Sequence, residues 1–229
     1  MKIHPSQQQL SDYSEGLMDD VSGFTIAIHL EQCLECKRQV ADMEVMSADL
    51  LFNGDFLESK VQFNDSELED MLAAITSVGV ADSVQAPTSS LEQFEVTTPN
   101  GRTFMLPKAL SRHAQHIGDW RNYGGKVYSA NIALDTKARI NLLYINQDAQ
   151  VPQHTHKGEE TTIILHGGFS DEDGHYHAGD FLVRDASHKH APHTKVGEDC
   201  LCLTVLTEPM IFTQGVARIF NLFGKGMYP

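Results

Sequence analysis

The sequence predicts an α+β chain of two domains. A small helical bundle occupies residues 1–77, an all-β barrel or jelly roll occupies residues 91–229, and residues 78–90 link them. Three observations carry this. Apolar residues recur at helical spacing through the first part of the chain, and short apolar or alternating runs separated by turn clusters take over from Leu91. The stretch between, Val78 to Ser90, is small, polar and poor in large apolar side chains.

After Pro5, Ser6 is placed to cap a first helix carrying Leu10, Tyr13 and Leu17. Asp19-Asp20-Val21-Ser22-Gly23 reads as a turn, with Ser22 capping the second helix. A third runs through Met43, Met46, Leu50 and Leu51 to a break at Asn53-Gly54, and Ser66-Glu67-Leu68-Glu69 opens a fourth with Leu68, Met71, Leu72 and Ile75. Four short helices make a thin core. They call for a staple, and they leave apolar face over for a partner.

The expected strands lie at Phe94–Val96, Lys126–Tyr128, Ile132–Leu134, Arg139–Tyr144, Thr161–Leu165, Phe181–Val183 and Leu201–Leu206. Pro99-Asn100-Gly101, Asp171-Glu172-Asp173-Gly174 and Ala178-Gly179-Asp180 punctuate them. Many short strands between turns suit a barrel or jelly roll. Cys200 and Cys202, two apart on one strand face, are expected to be small core residues.

The staple is written in His29-Leu30-Glu31-Gln32-Cys33-Leu34-Glu35-Cys36. Read as one helix, spacings of four and three put His29, Cys33 and Cys36 on one face. One imidazole and two thiolates are three ligands of a tetrahedral zinc site, and His4, the other His or Cys before His113, offers the fourth. The competing readings are a redox CxxC, which normally follows a strand, and two buried free cysteines beside an unrelated histidine.

A second constellation lies in Val151-Pro152-Gln153-His154-Thr155-His156-Lys157-Gly158-Glu159-Glu160. In an extended chain His154 and His156 point to the same side, and a carboxylate, Glu160 or its neighbour Glu159, swings in after Gly158. His188 or His190 closes the shell. Three imidazoles and a carboxylate suit zinc or another divalent transition metal, without fixing which. The alternative is a loop of exposed histidines. His166, His175, His177 and His193 read as bystanders.

The net charge of −14 is uneven: residues 1–80 hold four Lys/Arg against fifteen Asp/Glu, a balance of −11, and the other 149 residues carry −3. Such an acidic helical part repels nucleic acid and suits a basic protein partner, so direct DNA binding is not expected. No apolar stretch approaches a membrane span, and Met1-Lys2-Ile3-His4-Pro5 lacks a signal peptide's apolar core, so a cytoplasmic location without membrane contact is expected.

The β region resembles a cupin. His154, His156 and Glu160 match its first motif, Gly179-Asp180 opens its second, and His190 fits that motif's histidine. With the HxxxCxxC run and upstream His4 ahead of it, the chain is similar to the ChrR family of anti-sigma factors. His4 with Leu10, Tyr13 and Gly16-Leu17 matches that family's first helix. His156–Glu160, Gly168-Phe169, Ala178-Gly179-Asp180 and Asp199–Leu203 match its barrel. The resemblance implies zinc on His4, His29, Cys33 and Cys36, and zinc or another divalent metal on His154, His156, Glu160 and His190. Glu160 is preferred over Glu159 by the family spacing. It implies that the helical domain binds and inhibits an extracytoplasmic-function sigma factor. The cupin domain would answer oxidative stress, in some members of the family singlet oxygen, with no catalytic turnover. The rival reading is a metal-dependent cupin enzyme, a dioxygenase, isomerase or hydrolase, with an accessory zinc module.

Overall fold

Ser6 closes a capping box on α1 (Gln7–Ser14): its Oγ accepts from Gln9 N at 3.2 Å, and its own N–H reaches Gln9 Oε1 at 2.9 Å. The second helix, α2 (Asp20–Gln32), begins three residues earlier than a Ser22 cap implies. Asp19 takes that position, its Oδ1 accepting from Val21 N and Ser22 N at 3.0 Å each. The Asp19 carboxylate also draws the Ser22 hydroxyl to 2.6 Å, so Ser22 supports the cap it was expected to be. Next come α3 (Leu34–Asn53) and α4 (Asp65–Ser77). Asn64 caps α4 by accepting from Ser66 N at 2.9 Å. The computed structural model describes residues 2–53, 64–77, 94–215, 217, 218 and 221; the expected linker at 78–90 lies outside the described residues.

The β part begins with the hairpin β1 (Glu95–Thr97) and β2 (Thr103–Met105), then a single turn of helix, α5 (Lys108–Ser111). The strands that follow are β3 (Arg121–Asn122), β4 (Val127–Ile132), β5 (Arg139–Ile145), β6 (His154–His156), β7 (Glu160–Ser170), β8 (His175–His177), β9 (Phe181–Arg184), β10 (Cys200–Leu206) and β11 (Met210–Phe212). The main sheet runs β3-β4-β5-β10-β7-β8, with β9 also pairing β7, while β6 pairs β11. Every pairing is antiparallel, as a jelly roll requires. Ile132–Leu134 is not a separate strand: Ile132 ends β4 and the chain then turns.

The long central strand β7 bends where β10 shifts register between Leu201 and Cys202. Leu165 is the extra residue there; Gly167, just beyond it opposite Cys200, has φ +66°, and a side chain would drive its Cβ into the Asp199 carbonyl, so glycine is the residue that position admits.

The helices do not depend on their own thin core. Leu10, Ile26, Ile28 and Val40 share one buried cluster with Leu106 and Leu110, beyond β2, and with Ile140, Leu203 and Phe181 of the barrel. Polar contacts reinforce the join. Both Glu31 carboxylate oxygens accept from α5 backbone, Lys108 N at 2.6 Å and Ala109 N at 2.7 Å, satisfying donors that a helix start leaves free. Among the described residues no helix is long and apolar enough to cross a membrane.

Candidate metal centres

One part of the sequence reading changes at the first centre. His29 and the two cysteines do not lie on one continuous helix. A straight helix would separate His29 from Cys36 by about 10.5 Å along its axis, too far for one small ion. The chain breaks at Cys33, which takes extended angles (φ −126°, ψ 99°) between α2 and α3. That break brings Cys36, in the first turn of α3, back toward His29 in the last turn of α2. His4 arrives from the segment before α1.

One ligand atom from each of His4, His29, Cys33 and Cys36 lies within 4.8 Å of the others. His4 Nδ1 is 3.4 Å from Cys33 Sγ and 3.2 Å from Cys36 Sγ. Tetrahedral bonds of 2.0–2.3 Å set ligand atoms about 3.3–3.8 Å apart, so the spacing is close to a closed zinc-type shell. Both nitrogens of fully buried His29 lack a hydrogen-bond partner. Orphaned groups of this kind cost about 1–3 kcal/mol each, and a bound cation would satisfy one of them. Burial, then the charges of His4 and Lys2, lower the His29 pKa to about 4, keeping it in the neutral form that ligates. Burial, then the hydrogen bond with Cys33, push the Cys36 thiol up to about 12, so a Cys36 thiolate needs a cation beside it. The residues fit a zinc-type ion.

The second group is built by β6, the turn at Gly158 and the start of β7. His154 and His156 share a face of β6, Glu160 opens β7, and a bridge pairs His154 with His190. Ligand atoms of these four buried residues also lie within 4.8 Å of one another. His156 Nε2 is 3.2 Å from Glu160 Oε2 and 3.3 Å from His190 Nε2. Two imidazole nitrogens facing each other beside a carboxylate fit a shared cation. His154 Nδ1 lies 2.9 Å from the Pro152 carbonyl, which leaves Nε2 free to ligate. Burial, then the charge of His190, hold His154 down at about 4. Burial works to raise the Glu160 pKa, but the hydrogen bond and charge of His156, with the charges of His154 and His190, hold it at about 2. Glu160 is therefore an anion ready to ligate.

The competitors lie elsewhere. Glu159 is exposed, and its backbone N–H donates to Thr207 Oγ1 at 2.8 Å. His188 Nδ1 lies 2.9 Å from exposed Asp185. His166, His175, His177 and His193 join neither group. Cys200 and Cys202 are buried together in the barrel core.

Sequence reasoning missed Asp171. Read as one residue of a turn cluster, its side chain is fully buried with Oδ2 3.2 Å from His190 Nδ1. Tyr176 OH at 2.9 Å and Arg184 Nη2 at 3.4 Å donate to it. Burial works to raise its pKa, yet His190, the Asp173 backbone N–H, Tyr176 and Arg184 hold it well below the carboxylate range. Asp171 thereby fixes the ring that presents Nε2 to the group. Nothing in a turn's spacing separates such an aspartate from a solvent-facing one. Asp171→Asn is expected to weaken a divalent ion in the second group by about 10–100-fold, with the first centre keeping its metal. Competition with a chromophoric chelator measures both, and unchanged affinity would make Asp171 purely structural.

Residues 119–209 match the family model described as the ChrR cupin-like domain. The anti-sigma-E factor ChrR of Cereibacter sphaeroides is 27% identical, with 97% of this chain and 98% of that protein covered. Among solved structures, the crystal structure of Rhodobacter sphaeroides SigE in complex with the anti-sigma ChrR matches with a TM-score of 0.63 and 25% identity. That match covers 90% of this chain and 98% of the other. Residues 119–209 are thus similar to the ChrR cupin-like domain, and the whole chain, helices included, is similar to ChrR.

Proposed function

We propose that this protein is an anti-sigma factor of the ChrR type. It binds and inhibits an extracytoplasmic-function sigma factor through residues 1–77, held by zinc on His4, His29, Cys33 and Cys36, and senses oxidative stress through residues 91–229. The observation that carries the reading, beside the similarity to ChrR, is the exposed apolar surface of α3 and the apolar stripe of α4. Val45, Met46, Leu50, Leu51 and Phe52 are 62–79% exposed, and Leu68, Met71, Leu72 and Ile75 are 45–65% exposed. Every side chain described in α4 is exposed. A 13-residue helix with no buried face is marginal alone, so its apolar stripe implies a partner. The acidic surroundings, −11 over residues 1–80, favour a partner with basic surfaces, as a promoter-binding sigma factor has. The enzyme reading uses the barrel and leaves this face without a role.

The barrel has a physical route to the first centre. Ile3, next to His4, donates its N–H to Asp180 Oδ1 at 2.9 Å and accepts from Phe181 N at 3.0 Å. His29 sets its ring against Phe181, centroids 5.6 Å apart. Phe181 pairs with Ile163 of β7, the strand that Glu160 opens. A rearrangement at the barrel's metal thus has contiguous structure along which to disturb the zinc shell.

Replacing His154 or Glu160 with Ala is expected to leave sigma binding within about threefold of wild type, while reducing oxidant-triggered release roughly tenfold or more. Gel filtration of the complex before and after oxidant reads both. Loss of sigma binding without oxidant would place the barrel in the inhibitory surface and remove its sensor role.

A further inference from the structure

The barrel holds a cavity of about 490 Å³, partly open to solvent, that reaches the second group and that the reading above leaves unused. Its walls are apolar: Val127, Leu143, Ile145, Phe169, Met210 and Phe212. His154, Glu160 and His190 supply its ionisable groups, beside the neutral polar side chains of Asn122, Gln150, Thr162 and Thr204. The size is that of a small-molecule site rather than of a packing defect. Jelly-roll cores are normally filled by side chains, so a void of this volume forgoes dispersion contacts that an apolar guest would restore.

Charge selects the kind of guest. Glu160 is the one carboxylate among the described residues lining the cavity, and no lysine or arginine lines it. A divalent cation held by three neutral imidazoles and Glu160 leaves one positive charge uncompensated at that group. An uncompensated charge in a buried, apolar site is costly, and an anion brought in with its own hydrocarbon body offsets it. A dianion would overshoot neutrality, and a neutral apolar molecule would leave the charge unmet.

We propose that the barrel cavity binds a monoanionic amphiphile, an aliphatic monocarboxylate, with its head at the His154–Glu160–His190 end and its chain along Leu143, Phe169 and Phe212. This rests on the second group holding a divalent cation, and it deepens the sensor reading by naming the chemical class of what the barrel detects. The chain's own residues supply the selectivity. Thr162 and Thr204 border the cavity and offer hydroxyls. Ile145, Phe169 and Cys202 line the cavity and also belong to the buried cluster that holds its walls in place. Occupancy would press on β7 and so on Phe181, the residue that touches Ile3 and His29.

The test uses full-length protein loaded with zinc, titrated calorimetrically with decanoate, decanol and acetate. The expected result is one decanoate per chain, bound roughly tenfold or more tighter than decanol and roughly tenfold or more tighter than acetate. No saturable decanoate binding, or equal affinity for decanol, overturns the proposal. Leu143→Trp fills the cavity from a half-buried wall position and is expected to weaken decanoate by roughly tenfold or more with both metals retained. Unchanged binding in that variant also overturns it. If the variant loses its metals, the three-probe comparison on the unaltered protein decides alone. Complex formation with the sigma factor is measured on the same preparation. Decanoate binding without sigma binding sinks the anti-sigma reading and leaves this one. Sigma binding without decanoate binding sinks this one alone.

Discussion

Replacing Cys33 and Cys36 together with Ser is expected to empty the first centre of zinc and to abolish sigma binding. Serine is a poor zinc ligand at neutral pH, and the two thiols supply half of the four-residue shell. Structural zinc in small domains is worth about 10–16 kcal/mol of apparent binding free energy, comparable with the roughly 5–15 kcal/mol that holds a whole domain folded. The loss should be local. Ile26 and Ile28 still anchor α2 in the core shared with the barrel, whereas the break at Cys33 and the segment carrying His4 lose what fixes them. Val40 keeps α3 in that core, but the helix loses its anchor at Cys36, so the orientation of its exposed apolar residues loosens. Metal analysis should show one zinc fewer per chain, and gel filtration should show no complex. Full inhibition by the metal-free variant would reduce the cysteine pair to core filler.

Leu50→Asp combined with Leu72→Asp is expected to abolish sigma binding by a different route, with metal content and thermal stability kept. These side chains are 65% and 52% exposed, so the folded protein loses little when they become charged. Substitutions at such positions usually change stability by less than about 0.5 kcal/mol. At an interface, central apolar anchors carry about 2–4 kcal/mol each, so the pair should lower affinity by at least a thousandfold. Calorimetric titration against the sigma factor, with a melting curve as control, reads both quantities. Binding within about threefold of wild type would move the inhibitory surface away from α3 and α4.

Most of both candidate groups was legible in the sequence because His29, Cys33 and Cys36, and likewise His154, His156 and Glu160, lie close along the chain and belong to few residue types, whereas His4 and His190 are distant in sequence. His154, His156 and Glu160 are brought together by one strand, one turn and the next strand, so period-two alternation was enough. The first group was legible in composition but not in geometry. Spacings of four and three fit a helix, and no helix breaker in Gln32-Cys33-Leu34 marks the break at Cys33. The helical stripes and most long strands followed from periodicity. Three-residue strands such as β8 and β11 did not, since so short a run carries no repeat. Asp171, the cavity, and the contacts of Ile3 with Asp180 and Phe181 join residues 19, tens and 177 positions apart, and no local pattern encodes such pairs.

Transcription by core RNA polymerase and the extracytoplasmic-function sigma factor, titrated with the zinc-loaded full-length protein, tests the central claim most directly. The predicted result is inhibition complete near one protein per sigma factor, lost when a chelator strips the first centre. Undiminished transcription at a large excess of protein, or equal inhibition by the stripped protein, would contradict it.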